Sequence, residues 1–133
     1  MDAEKLSGSE LNTLSGRIIE LAIRVHQKLG PGFLESVYQA ALAYEFDLNN
    51  IRYEKEKALP VNYESIKLDI GFRCDFLIEE NLILEIKAVK EIRDIDKAQL
   101  INYLKVTNLK LGLLINFNTK LLKNGIYRLV NNF

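Results

Sequence analysis

A chain of 133 residues, 48% apolar and 27% charged, is long enough to close one hydrophobic core without disulfides or structural metal and too apolar to be disordered. Its 18 Lys and Arg balance 18 Asp and Glu, which excludes the bulk positive charge that grips nucleic acid or anionic lipid without sequence preference; any basic patch must come from position. The single cysteine, Cys74, excludes an internal disulfide and fits a reducing cytoplasm, and a polar, partly acidic start with no apolar run of membrane-spanning length sets the expectation of a soluble cytoplasmic protein with no membrane partner.

Residues 1–9 are polar with Ser and Gly and are expected to fray, leaving 10–133 as a single domain. From Glu10, Leu11, Leu14, Ile18, Leu21, Val25 and Leu29 recur at helical spacing. Gly30-Pro31-Gly32 ends that run, glycine suiting the position after a helix and proline preventing its continuation. A second helix is expected over Phe33 to Leu48. At 100° per residue, Leu34, Tyr38, Ala41 and Glu45 fall on one side of it, with Glu35 at the edge, and Ser36, Gln39, Ala43 and Asp47 fall on the other. Glu45 then lies on an apolar face and, if buried, needs a partner, either as an ion pair with a sheet lysine or as a group that supports a metal ligand.

Strand-like segments follow. Arg52 to Leu59 alternates weakly until Pro60, and VNYESIKLDIGF reads as a strand end, a turn and a new strand. FRCDFLIEENLILEIKAV, Phe72 to Val89, reads as two strands joined by a turn at Glu79 to Leu82. A third helix fits Asp94 to Thr107 with Asp94 as N-cap, then LKLGLLINF and GIYRLV form the last strands. The order α-α-β-β-β-α-β-β makes a single α/β or α+β domain.

Three charges interrupt the apolar hairpin. Side chains alternate along a strand, so Glu85 and Lys87 share a face, and Asp75 shares one with Arg73 and Leu77, opposite Phe72, Cys74, Phe76 and Ile78. A hairpin of suitable register brings Asp75, Glu85 and Lys87 to one spot. Two carboxylates can hold a hard divalent cation, which polarises a phosphodiester and activates water, while a lysine stabilises charge developing on the phosphate. The same spacing also suits a cross-strand ion pair. On the third helix, Gln99 and Tyr103 lie four apart on one face beside Ile95 and Val106, placed either to hydrogen-bond a ligand or to satisfy backbone at the core edge. His26 shares a helix flank with Ile19, Ala22 and Ile23, as a core residue or a metal ligand. Cys74 is expected to pack. Arg73, Lys90, Arg93 and Lys97 could form a local phosphate-binding rim or a solvated surface.

Together, Asp75, Glu85-x-Lys87 and a helix bearing Gln99-x-x-x-Tyr103 resemble the PD-(D/E)xK nuclease superfamily, the last motif its RecB-like branch. The segment GFLESVY, with Gly32, Glu35 and Tyr38, is similar to the signature of the prokaryotic GxxExxY proteins, as are VHQKLGPGFLESVYQAAL, AQLINYLK and LGLLINF, so the resemblance spans about Leu14 to Val130. Cys74 stands where the superfamily's name has proline. The resemblance implies a restriction-endonuclease-like fold, a central mixed sheet flanked by helices with an α-β-β-β-α-β core and the site at one sheet edge. It implies Asp75, Glu85, the Ile86 carbonyl and Glu35 as ligands of Mg²⁺ or Mn²⁺, with Lys87 as the catalytic lysine. Gln99, Tyr103, Tyr38 and His26 would be supporting or substrate-binding residues. The partner implied is nucleic acid, DNA before RNA, in a monomer or a homodimer. A metal-dependent nuclease, a non-catalytic adaptor that keeps the fold, and a purely structural ion-pair cluster are the three readings these residues leave open.

Overall fold

The computed structural model describes residues 5–133. The first helix, α1 (Gly8–Leu29), starts on Ser7, whose hydroxyl accepts from the Glu10 amide while the Glu10 carboxylate accepts from the Ser7 amide. This reciprocal box satisfies two of the amides that a helix start leaves without intrahelical partners. Of the stretch expected to fray, residues 1–4 lie outside the described residues, and Ser7 to Ser9 are instead built into this cap and first turn. The expected apolar stripe faces inward, with Leu11, Leu14, Ile18, Ala22 and Val25 buried.

The second helix, α2 (Glu35–Leu48), buries Tyr38, Leu42, Phe46 and Gln39. The wheel placed Gln39 on the outward side, yet it is only 9% exposed. The reason is that α2 is apolar nearly all round: Leu34, Tyr44 and Leu48 stay exposed. Its own pattern therefore does not choose a face, and packing against α1 and the sheet does. Glu45 also departs from expectation, since its partner is Arg24 of α1 at 3.2 Å rather than a lysine of the sheet.

Strand β1 (Tyr53–Leu59) is followed by a small separate hairpin, β2 (Asn62–Tyr63) with β3 (Ile66–Lys67). Then come β4 (Phe72–Ile78), β5 (Leu82–Lys87), α3 (Asp94–Thr107), β6 (Leu111–Asn116), one 3-10 turn (Leu122–Gly125) and β7 (Ile126–Val130). Apart from the two-residue strands, this is the expected order. The main sheet runs β1-β4-β5-β6-β7. Only β5 and β6 are parallel, and α3 makes the crossover that parallel neighbours require. Asp94 is the first helical residue of α3, not its cap; Arg93 takes the cap position and its amide donates to the Asp96 carboxylate at 2.9 Å.

Two cores result. On one face of the sheet, α1 and α2 cover Phe76, Ile78, Leu84, Ile86 and Ile115. On the other, α3 covers Cys74, Leu77, Ile83 and Leu114 with Leu100 and Leu104. The result is a mixed α+β fold of restriction-endonuclease type, a five-stranded sheet between two helical layers. Among the described residues, no helix is long and apolar enough to cross a membrane.

The packing of α2 sets a test. Phe46 is fully buried and meets Phe76 edge-on at 5.4 Å, whereas Leu48 is 61% exposed. Urea unfolding should show Phe46→Ala losing about 3–5 kcal/mol and Leu48→Ala changing by no more than about 0.5 kcal/mol.

Candidate active site

The sheet opens at Asp75. Pairing of β4 with β5 runs from Ile78↔Leu82 to Phe76↔Leu84 and stops there; the next facing pair would be Asp75 and Glu85. On its other side β4 pairs with β1 on both flanks of Asp75, yet the Glu56–Asp75 pair is skipped, and Glu56 has a left-handed φ of 53°. The ladder thus breaks around Asp75 on both sides. Its carboxylate fills the gap, Oδ2 accepting from the Ile86 amide at 2.7 Å. The pleat changes sides here as well. Phe76 and Ile78 pack toward α1 and α2, while Phe72 and Cys74 pack toward α3 together with Leu77. Strict alternation would have put Cys74 with Phe76, so the sequence expectation fails at this irregularity and holds beyond it.

The gap forces two acids together. Asp75 and Glu85 come within hydrogen-bonding reach of each other. Burial, followed by the negative charge of Asp75, pushes the Glu85 carboxyl up from its ordinary 4.5 to about 8. Burial raises Asp75 too, against the opposing pull of the Ile86 amide. Among the described residues, Glu85 Oε1 is buried with no hydrogen-bond partner. An orphaned carboxylate oxygen in the interior is costly unless something else meets it. Lys87, two residues on, acts electrostatically on Asp75, Glu85 and Glu35.

Glu35 begins α2, and the loop before it is held by Tyr38. The Tyr38 hydroxyl donates to the Gly30 carbonyl at 2.6 Å and accepts from the Phe33 amide at 3.1 Å. Its ring stacks on Phe117 at 4.5 Å. Gly30 and Gly32 both take positive φ in that loop, 72° and 108°, where a side chain would be strained. Tyr38 is therefore sealed in the core, and its part is to fix the loop that delivers Glu35. Burial raises the Glu35 carboxyl, while Lys87 lowers it and Asp75 raises it.

Asn116 was not anticipated. It ends β6 opposite Lys87, only 2% exposed. Its Oδ1 accepts from the amides of Val89 and Asn118, and its Nδ2 donates to the Val89 carbonyl at 2.9 Å. The Phe117 amide donates to the Lys87 carbonyl at 2.8 Å. Together these bonds pin the backbone that leaves β5 just after Lys87. The available signal was a lone amide closing the apolar run LGLLIN.

A sequence model of the PD-(D/E)XK nuclease superfamily matches residues 12–129, nearly the whole chain. The chain belongs to this superfamily. No curated protein matches it significantly. A solved structure titled "Crystal structure of SSO0001" aligns with a TM-score of 0.54 at 19% identity, covering 74% of this chain and 50% of that one. The chain thus spans half the length of that protein, and the likeness is one of fold.

Within this PD-(D/E)XK domain the remaining motif residues separate. Tyr103 stands beside the site: its ring stacks on Phe72 at 3.7 Å, and burial together with the charges of Glu85 and Asp75 raises its phenol. Gln99 is exposed on α3. His26 is buried against Phe117 with Nε2 2.7 Å from the Thr119 carbonyl, an engagement with backbone rather than with the acids. Cys74 is fully buried and its thiol is pushed up to about 12 by burial, as a packing residue should be. Of the expected basic rim, Arg93 pairs with Asp96, Lys97 lies 4.4 Å over the Tyr127 ring, and Arg73 donates to the Glu56 carbonyl.

Among the described residues, no three His, Cys, Asp or Glu side chains are grouped so as to hold a metal ion. The arrangement with Glu35, Asp75 and Glu85 around one ion is therefore not assembled here. The tight pair is Asp75 and Glu85, and its donor set suits a hard cation, which needs only one or two carboxylates with water and phosphate completing an octahedron.

The raised carboxyls make a pH dependence whose sign can be measured. Both carboxyls are raised in the folded chain, so the fold binds a proton that the unfolded chain releases near its ordinary 4.5. That contribution to stability is full below about pH 4.5 and is lost as pH climbs through about 8. In EDTA, the urea midpoint should fall from pH 5.5 to pH 8.5, and Glu85→Gln should flatten most of the slope; an unchanged slope in that variant would place the proton elsewhere.

Proposed function

We propose that the chain is a Mg²⁺- or Mn²⁺-dependent nuclease of the GxxExxY branch, hydrolysing phosphodiester bonds in DNA. The observation that carries this reading is the half-buried Asp75–Glu85 pair, held in an opened sheet with Glu85 Oε1 buried and left unbonded. Burying two like charges side by side lowers stability unless a cation joins them.

The ligands would be Asp75, Glu85 and the Ile86 carbonyl. In a strand the N–H and C=O of one residue point to the same edge, so the Ile86 carbonyl is directed to the gap where its amide meets Asp75. When bound, the ion would polarise the phosphodiester and acidify a coordinated water. The chain's own groups do the rest. The Ile86 amide fixes the Asp75 carboxylate so that it needs no reorganisation. The Lys87 ammonium donates to the phosphate oxygens as negative charge builds there. Glu35, delivered by the loop that Tyr38 fastens, orients the attacking water and accepts its proton. Water attacks phosphorus in line, the bond to the leaving oxygen breaks, and no covalent enzyme intermediate forms. Gln99 and Tyr103 on α3 flank the approaching strand and hydrogen-bond its backbone.

Incubation of the full chain with Mn²⁺ and labelled single-stranded, duplex and branched DNA should give cleavage that EDTA abolishes. Asp75→Asn, Glu85→Gln and Lys87→Ala should each lower the rate at least ~100-fold while the far-UV spectrum stays unchanged. If every substrate remains intact with wild-type protein, the domain is a non-cutting adaptor and the catalytic reading is wrong.

A further inference from the structure

A groove of about 420 Å³ lies between the end of β1, the start of β4 and the β2–β3 hairpin. None of the residues assigned above to the metal or to the reaction lines it, and of the candidate phosphate-binding rim only Arg73 does. The groove is open to solvent, and its volume falls in the range of clefts that take small-molecule ligands, roughly 300–1,000 Å³. Leu59, Leu68 and Phe72 give it apolar walls, and Lys67, Asp69 and Arg73 stand on its rim.

The groove is preformed. The hairpin is closed by β2–β3 pairing and by the Leu68 amide donating to the Val61 carbonyl at 3.0 Å. Gly71 lets the chain pass so close to the end of β1 that a β-carbon there would collide with the Leu59 carbonyl. Arg73 is anchored by its bond to the Glu56 carbonyl at 3.1 Å and is otherwise exposed.

Phe72 connects the groove to the acids. Its ring lines the groove and stacks in parallel on Tyr103, 3.7 Å away, and Tyr103 feels the charges of Glu85 and Asp75. Along β4, Phe72 precedes Asp75 by three residues, about 10 Å, which is the reach of a few nucleotides along a strand.

We infer that this groove binds one unpaired nucleotide of the DNA strand being presented to Asp75 and Glu85. The base would extend the Tyr103–Phe72 stack, the flanking phosphate would meet Lys67 and Arg73, and Asp69 would accept from an exocyclic amine. A paired base hides its faces in the duplex stack and cannot enter. The substrate class is therefore DNA with a single-stranded segment beside the cut, such as an overhang, a flap or a free strand. This rests on the nuclease-like reading of the neighbouring carboxylates.

The test uses the full chain in EDTA, so that binding is read without cleavage. The probes are a single-stranded oligonucleotide carrying 2-aminopurine and the blunt duplex of the same sequence. The single strand should bind ~10-fold tighter than the duplex, with the fluorescence quenched by stacking. Phe72→Leu should remove the quenching and most of the preference; Arg73→Gln, an exposed change that spares the core, should weaken single-strand binding several-fold. Equal affinity for the two probes, or quenching that survives in a folded Phe72→Leu protein, overturns the groove assignment. If Phe72→Leu does not fold, an Arg73→Gln protein that binds as tightly as wild type does the same. Wild-type protein that keeps the preference in EDTA but cuts nothing with Mn²⁺ refutes the nuclease reading and leaves the groove standing; loss of the preference with cutting intact does the reverse.

Discussion

Everything near the site depends on one substitution of partners. Where β4 and β5 should continue their ladder, the Ile86 amide is met by the Asp75 side chain instead of by backbone. A buried amide must be satisfied somehow, and a carboxylate satisfies it well, so opening the sheet costs little in hydrogen bonding. What the opening leaves is an unpaired stretch between two strands, where Glu85, the residue before Ile86 on β5, comes within hydrogen-bonding reach of Asp75. Burial then raises both carboxyls, and the charge of Asp75 raises Glu85 further. The fold supplies the compression: β5 is held on its far side by six parallel pairs to β6, and β4 by β1.

The surroundings are arranged to keep that strained pair in place. Asn116 and Phe117 clamp the chain that leaves β5 after Lys87. Tyr38 ties down the Gly30–Phe33 loop and thereby sets where α2, and Glu35 with it, begins. Phe72 and Tyr103 close the α3 side with a parallel stack. None of these contacts brings an opposite charge to the Asp75–Glu85 pair; Lys87, two residues on, does, and it lowers both carboxyls against the burial that raises them.

Much of this was legible in the residues. Strong helical spacing placed α1, and the limits of α3 and of the β4–β5 hairpin follow directly from apolar runs bounded by polar turns. Asp75, Glu85 and Lys87 stood out because charges inside apolar strands need a reason. What could not be read was local geometry that no period encodes. The side change at Asp75 breaks the alternation rule, so Cys74 was assigned to the wrong face. The face of α2 was undecidable from its own sequence because Leu34, Tyr44 and Leu48 make its outside apolar too, and only α1 and the sheet select Tyr38, Leu42 and Phe46. Asn116 escaped notice because an asparagine after a strand ordinarily marks a turn; its role comes from the parallel register that sets it against Lys87.

The function proposed above requires a divalent cation to displace the proton that the Asp75–Glu85 pair holds near neutral pH. Calorimetric titration with Mn²⁺, repeated in buffers of different ionisation enthalpy, reads that exchange directly. With the Glu85 carboxyl raised to about 8, binding at pH 7 should release about one proton per ion and binding at pH 9 almost none. Binding at pH 7 without proton release, or no binding at either pH, would contradict the account.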